Sequence, residues 1–143
     1  SIVSRSPYDN SLNLIAFRVP AEGTYGRAAI TGSMIESAGV LTTLMNVPIT
    51  RTQASRYLIS FSGNNAYSPG AGHGCNFYVY VDGSLRAGVP YTSSNGGQKS
   101  GASIISVETV PAGNAVPVEV RYVKSITSNC IVDGATLEVL PLE

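Results

Sequence analysis

The sequence of 143 residues contains no tryptophan, one histidine and two cysteines, and only 13% of its residues are charged. A structural zinc site takes four ligands, and no spacing of acidic residues completes the set. Nine basic residues balance nine acidic ones without forming a basic run, which excludes the electrostatic footprint of a nucleic-acid-binding protein. No stretch approaches the roughly 20 apolar residues of a membrane-spanning helix. We therefore expect no metal or other cofactor, and neither nucleic acid nor membrane as a partner.

The histidine and one cysteine lie two residues apart in the glycine-rich segment "SFSGNNAYSPGAGHGCNF". A Cys–His nucleophile needs a third group that orients the base and an oxyanion hole, and His73 and Cys75 have no rigid platform for either. The glycines and asparagines around them, with Pro69, indicate a loop of roughly 13 residues whose role is contact. The acidic residues are scattered and lack the pairing of a glycosidase; Glu119 and Glu138 are predicted to be solvated charges that point away from the core. We predict that the protein is not an enzyme.

The two cysteines are 55 positions apart, so the sequence leaves open whether they meet. Free cysteine is among the most frequently buried residue types. We expect Cys75 and Cys130 to be buried free thiols.

Apolar and polar residues alternate with a period of two through most of the chain, which predicts half-buried strands. Fifteen glycines and eight prolines leave little room for a long helix, and only residues 32–40 predict a short helical turn. Less regular strands are predicted at residues 12–18, 40–51 with a break at Pro48, 85–92 and 102–110. The alternation assigns these residues to the core: Tyr57, Ile59, Phe61, Phe77, Val79, Val81, Val116, Val118, Val120, Tyr122, Ala135, Leu137 and Val139.

Three turns are predicted from residues that tolerate positive φ angles. Asp82-Gly83 is a strong hairpin signal, and Asp133-Gly134 repeats it near the C-terminus. After Val110, a proline and then Gly113-Asn114 indicate a third turn. Pro117 donates no ladder hydrogen bond, so its strand is predicted to lie at an edge or to carry a bulge.

Eight or nine antiparallel strands in a chain of this length indicate two packed sheets. We predict an all-β fold, an antiparallel two-sheet jelly-roll sandwich of about eight strands, as one domain over residues 12–143. Residues 1–11 are polar and are predicted to form an extended N-terminal arm.

Tyrosines are the candidate partner-binding residues. Tyr78 and Tyr80 alternate away from the core, which fits cross-strand packing as well as an interface or a sugar-binding face. Arg5 and Tyr8 in the arm are predicted to anchor it to a neighbouring subunit, and Tyr67 in the long loop is predicted to make a similar contact.

The runs "RYLISFSGNNAY", "FYVYVDGSLRAG", "VPAGNAVPVEVRYVK" and "VDGATLEVL" resemble the later strands of C1q/TNF-like jelly rolls, over residues 56–140. Domains of this kind in tailed bacteriophages are head decoration (cement) proteins or heads of tail fibres. The resemblance implies a structural virion protein on the outer surface of the capsid. Its partners would be the major capsid protein and itself, as a homodimer or homotrimer. The alternative is a receptor- or glycan-binding head of a fibre.

Overall fold

The computed structural model of the protein describes residues 3–4, 14–15, 24–67, 74–92, 99–125 and 129–142. Within these ranges all regular secondary structure is β-strand. The strands are β1 (Val3–Ser4), β2 (Leu14–Ile15), β3 (Gly26–Glu36), β4 (Thr42–Arg51), β5 (Ser55–Tyr67), β6 (Gly74–Val81), β7 (Ser84–Thr92), β8 (Ser100–Val110), β9 (Gly113–Lys124) and β10 (Cys130–Pro141). The two short strands β1 and β2 pair with each other.

The other eight strands form two four-stranded sheets. Sheet I has the order β3-β10-β5-β8 and sheet II the order β4-β9-β6-β7. Every pairing is antiparallel, and the chain changes sheet at every connection except the one between β6 and β7. This order is that of a jelly roll, so the predicted fold is confirmed.

The core lies between the two sheets, and every residue that the alternation assigned to it is buried. Three rings at its centre connect the layers. Phe61 of sheet I lies 5.4 Å from Phe77 of sheet II, and Phe77 stacks at 6.5 Å on Tyr122. Burying a large apolar side chain of this kind stabilises a fold by about 1.5–3 kcal/mol. The period-two pattern is therefore the part of the sequence that determines which faces pack together.

Two Asp-Gly pairs adopt different structures. At Asp82 and Gly83 the φ angles are 50° and 73°, which is the geometry of a two-residue hairpin turn, and the prediction is confirmed. Gly134 has φ 101° but lies inside β10, where the register with β3 shifts between Asp133 and Ala135. It forms a β-bulge, and the predicted turn is wrong because neighbouring strands pair with β10 on both sides of it.

The turn after Val110 is shorter than predicted. Gly113 already begins β9, and the positive φ angle, 56°, belongs to Ala115. Thr50 stabilises this unusual backbone, because its hydroxyl accepts a hydrogen bond from the Ala115 N–H at 3.1 Å.

The predicted helical turn at residues 32–40 is wrong, because β3 continues through Glu36 by pairing with β10. The predicted break at Pro48 is also wrong. Pro48 lies on an edge strand directly opposite Pro117, so its missing N–H faces away from β9. Of the strand predicted at residues 12–18, the structure describes only Leu14–Ile15. The predicted arm at residues 1–11 lies outside the described residues except for Val3–Ser4.

Pro117 lies in an interior strand, so the predicted edge position is wrong for β9. The alternative, a bulge in this strand, is confirmed, because the register of β9 with β4 shifts between Gly113 and Val116. The pairing of β6 with β9 nevertheless ends at Val81 opposite Val118, one residue before Pro117. The Pro117 carbonyl accepts a hydrogen bond at 2.9 Å from the N–H of Asp82, in the turn beyond β6. Pro117 therefore lies just beyond the segment of β9 that pairs with β6.

The cysteines form a disulfide bond between the beginnings of β6 and β10, which belong to different sheets, so the prediction of free thiols is wrong. Cys75 in β6 and Cys130 in β10 have Cα atoms 5.2 Å apart and are separated by 55 residues in sequence. Only the packing of sheet I on sheet II brings them together. Because the strands are antiparallel, β3, β5, β7 and β9 end where β4, β6, β8 and β10 begin. We call this side of the sandwich the disulfide end.

Candidate interaction surface

The outer surface of sheet II carries two tyrosines on neighbouring positions of β6. Tyr80 lies under the guanidinium of Arg121, whose Cζ atom is 4.2 Å from the ring centroid. The same guanidinium forms an ion pair with Glu119 at 2.6 Å. The Thr43 hydroxyl donates a hydrogen bond to Glu119 at 2.9 Å. Cation–π stacking and a charged hydrogen bond therefore fix the Tyr80 side of this surface.

Tyr78 lies against the glycine of the next strand. Gly88 is opposite Tyr78 in the pairing of β6 with β7, and a Cβ atom placed on Gly88 would be only 2.7 Å from the Cδ1 atom of Tyr78. The ring thus covers the space that a larger residue would need. Leu85, the β7 residue opposite Tyr80, is 56% exposed. We call Tyr78, Tyr80, Leu85 and Arg121 the tyrosine face.

Of the five predicted partner-binding residues the structure describes three, and it brings two of them together. Tyr78 and Tyr80 are half-buried on the tyrosine face. Tyr67 is the last residue of β5 and lies opposite Ile131 in sheet I. Its predicted loop position is wrong, because this pairing extends β5 to Tyr67. The connection between β5 and β6 therefore consists only of residues 68–73. Arg5 and Tyr8 lie outside the described residues, and the role of all five in binding remains a prediction.

Arg121 of the tyrosine face and its ion-pair partner Glu119 were not predicted as site residues. Glu119 was expected to be a solvated charge, but its side chain is only 14% exposed and pairs with Arg121. The signal was present in the sequence, since residues 119 and 121 share a face of β9. Their contact with Tyr80 was hidden, because it depends on β9 lying beside β6 with Glu119 opposite Tyr80.

The outer surface of sheet I carries aliphatic side chains that the sequence did not single out. Leu140, Leu58 and Val107 form one row across β10, β5 and β8. Ile105 belongs to the next row on β8 and is 73% exposed. We call Leu58, Ile105, Val107 and Leu140 the aliphatic strip.

The disulfide end is reinforced by a buried carboxylate. Glu36, at the end of β3, is 3% exposed. Its Oε2 atom accepts a hydrogen bond from the Lys124 N–H in sheet II at 2.8 Å, and its Oε1 atom accepts one from the Gly39 N–H at 2.7 Å. Glu36 pairs with Cys130, and Lys124 pairs with Cys75. The disulfide and the Glu36 carboxylate are therefore two adjacent links between sheet I and sheet II.

These contacts shift the pKa values of two groups. Burial acts to raise the pKa of Glu36, but the backbone N–H groups of Lys124, Gly39, Val40 and Ala38 together hold it below the usual 4.5. Burial, and then the negative charge of Glu36, raise the pKa of Tyr122 above its usual 10.0. The carboxylate is thus charged in the folded protein at neutral pH.

The described residues show no metal site at the cysteines, and the histidine is not among them. Cys75 is bonded to Cys130, and His73 lies outside the described residues. Within the described ranges, no group of three or more histidine, cysteine, aspartate or glutamate side chains is arranged to hold a metal ion. The part of the chain that the structure describes also contains no helix long and apolar enough to span a membrane.

The described strands form an all-β jelly roll whose outer faces carry the tyrosine face and the aliphatic strip. No protein-family model matches the chain, and no curated protein matches it in sequence. Among solved structures, it is similar to VP2 of infectious bursal disease virus in a subviral particle. That likeness has a TM-score of 0.50 and 13% identity over 97% of this chain and 37% of the other.

Two further solved structures are similar over smaller shares of their own chains. Dimeric latent PorU from Porphyromonas gingivalis has a TM-score of 0.48 and 12% identity, over 82% of this chain and 13% of that one. T=1 particles derived from infectious bursal virus have a TM-score of 0.46 and 11% identity, over 97% of this chain and 36% of the other. The chain thus spans between 13% and 37% of the three chains described here. The likeness to VP2 shows a β fold that also occurs in a viral particle.

Proposed function

We propose that the chain is a non-catalytic structural protein of a virion, a decoration (cement) protein that binds the outside of a tailed-phage head. The observation that carries this proposal is a jelly roll whose outer faces carry three ion pairs. Arg121 pairs with Glu119, Lys99 with Asp133 at 2.7 Å, and Arg27 with Glu138 at 3.4 Å. Such faces suit broad apolar and hydrogen-bonded contact with another protein.

Two further observations support a place on the outside of a particle. The likeness to VP2 in a subviral particle links the fold to viral assemblies. The disulfide between Cys75 and Cys130 fits a location outside the reducing cytosol, where virion surfaces lie.

In this proposal the major capsid protein contacts the tyrosine face. Tyrosine combines a large apolar area with a polar tip, and aromatic residues and arginine are enriched at interfaces. The N-terminal arm, with Arg5 and Tyr8, provides a second attachment to a neighbouring subunit. Two weak attachments in one chain bind more tightly together through effective concentration.

Co-sedimentation with empty capsids tests the proposal. The protein should pellet with capsids at one fixed stoichiometry per lattice site. Leu85→Glu places a charge beside Tyr80, and we expect it to weaken binding by roughly tenfold or more. Val40→Glu is the matched control, because Val40 is similarly exposed at 61% but lies at the disulfide end. An absence of wild-type protein from the pellet contradicts the proposal.

A fibre head that recognises a receptor or glycan is the second candidate. It is favoured by the disulfide end, where Cys130 pairs with Glu36 at the end of β3 and Glu36 accepts hydrogen bonds from the N–H groups of Gly39 and Val40. Val40 and Leu41 are exposed there. In this case the protein binds a glycan array but not capsids, and Val40→Glu weakens binding whereas Leu85→Glu does not.

A further inference from the structure

Each sheet has two edge strands, and three of these four edges carry features that prevent another strand from pairing. Proline, bulges and positive charges are the devices that proteins use for this purpose. The edge strand β4 carries Pro48 and two register shifts, and β7 carries Pro90 and one shift. In β3, the register with β10 shifts beside Gly134.

The fourth edge strand, β8, is the least protected, because its one register shift with β5 lies at its start, between Ser100 and Ala102, and its one charged residue is Glu108. Its sequence, SGASIISVETV, contains no proline, lysine or arginine. From Ala102 to Val110 its register with β5 is regular. Among the described residues, no strand pairs with the other side of β8. Its backbone is therefore a template for one more antiparallel strand.

The side chains of β8 suit pairing with a second copy of β8. The outward-facing residues Ser103, Ile105, Val107 and Thr109 are uncharged, so two copies meet without like-charge repulsion. Ile105 and Val107 are two of the exposed large aliphatic residues of the described chain. Ser106 lies between them in sequence but faces the inner side of the strand, where its buried Oγ atom has no hydrogen-bond partner within the described ranges.

We propose that two copies of this chain pair through β8, antiparallel and about a two-fold axis at Ser106. Ser106 then faces Ser106 of the second copy, which offers each hydroxyl a partner. Ile105 faces Val107 of the second copy and the reverse, so the two aliphatic strips become continuous. Cross-strand pairs of both kinds stabilise sheets. The inference does not rest on the proposed capsid role.

The size of the contact sets the expected affinity. A strand of 11 residues at about 3.3 Å per residue is about 36 Å long, and a sheet is about 10 Å thick. The product is roughly 360 Å² for each partner, below the about 800 Å² of a stable interface. We therefore expect a dimer with a dissociation constant in roughly the micromolar range.

Analytical ultracentrifugation of the purified protein tests this inference. The wild type should change from monomer to dimer as its concentration rises through the micromolar range. Ile105→Lys should raise the dissociation constant by roughly tenfold or more, because it disrupts two cross-strand pairs per dimer. Ile35→Lys, which changes an exposed aliphatic residue on the protected edge β3, should leave the dissociation constant unchanged. A wild type that stays monomeric at about 100 μM, or Ile105→Lys that dimerises normally, overturns the inference.

Three variants test the position of the axis. Ile105→Glu combined with Val107→Lys places opposite charges across the axis, and it should restore a dimer that is now sensitive to salt. Ser106→Cys should form a disulfide-linked dimer under mild oxidation, whereas Ser103→Cys, which faces Thr109, should not. Crosslinking of Ser103→Cys but not Ser106→Cys overturns the proposed register.

Discussion

The backbone N–H of Lys124 donates a hydrogen bond across the sandwich to Glu36, and the Lys124 side chain reaches back to the same segment. Its Nζ atom donates a hydrogen bond to the Ser37 carbonyl at 2.5 Å. One residue of sheet II thus holds both the last residue of β3 and the start of the connection to β4. The charge on Glu36 is part of this link, which makes it sensitive to pH.

We expect stability to decrease in acid because of Glu36. Its folded pKa lies below the usual 4.5, so between the two values the unfolded state binds more protons. The stabilisation is present above pH 4.5 and is lost as the pH falls through the folded pKa. Glu36→Gln should cost about 2 kcal/mol at neutral pH and flatten this part of the curve. Urea unfolding at several pH values measures both effects.

Glu138→Gln is the matched control for the acid experiment. Glu138 pairs with Arg27 at 3.4 Å, but both side chains are well exposed. We expect a change within about 0.5 kcal/mol, as for other surface ion pairs. Parallel pH curves for wild type and Glu36→Gln would show that this carboxylate does not stabilise the fold.

Removing the disulfide should strongly destabilise the domain. The bond closes a chain segment of 55 residues, for which loop-closure entropy gives about 4 kcal/mol. Cys75→Ala combined with Cys130→Ala should therefore lower the melting temperature by roughly 10 °C. Calorimetry of this variant and of the wild type with and without reductant measures the effect. The double variant has no disulfide to reduce. If reductant also lowers its melting temperature, the effect of reductant on the wild type has a cause other than the disulfide.

Two glycines of β3 should respond in opposite ways to alanine. A Cβ atom on Gly26 would lie 2.3 Å from Cγ1 of the buried, β-branched Val47, whereas on Gly32 it would meet nothing within 4 Å. Gly26→Ala should cost about 1–3 kcal/mol. Gly32→Ala should be neutral or stabilise by up to about 1 kcal/mol. Equal effects in urea unfolding would contradict this packing of β3 on β4.

Deletion of residues 1–10 should separate assembly from folding. Of this segment, the structure describes only β1, which pairs with β2 and with no strand of either sheet. The melting temperature should therefore change little, whereas binding to capsids should weaken. A large drop in melting temperature would mean that the arm is part of the domain.

The sequence predicted the fold best where alternation is unbroken. Phe77, Val79 and Val81 were assigned correctly because β6 is interior, with one face in the core. β3 was missed because it is an edge strand of small residues, such as Ala28 and Ala29, whose pattern shifts at its bulge. Local composition cannot show that pairing with β10 holds such a strand.

The limits were different for single residues. Asp82-Gly83 and Asp133-Gly134 look alike locally, and only the strands beside β10 turn the second into a bulge. The bond between Cys75 and Cys130 depends on how two sheets pack, which residues 55 positions apart do not reveal. For the candidate surface, the alternation placed Tyr78 and Tyr80 outward, but Arg121 joined them only through the neighbouring strand.

The position of Pro48, opposite Pro117, limits how many copies of the chain can join through their sheets. With Pro48 and Pro90, sheet II accepts no strand at either margin, so it cannot propagate. Sheet I has one unprotected edge strand, β8, and a two-fold contact pairs this strand in both copies. The proposed self-association is therefore finite: it ends in a closed pair and does not lead to a fibre.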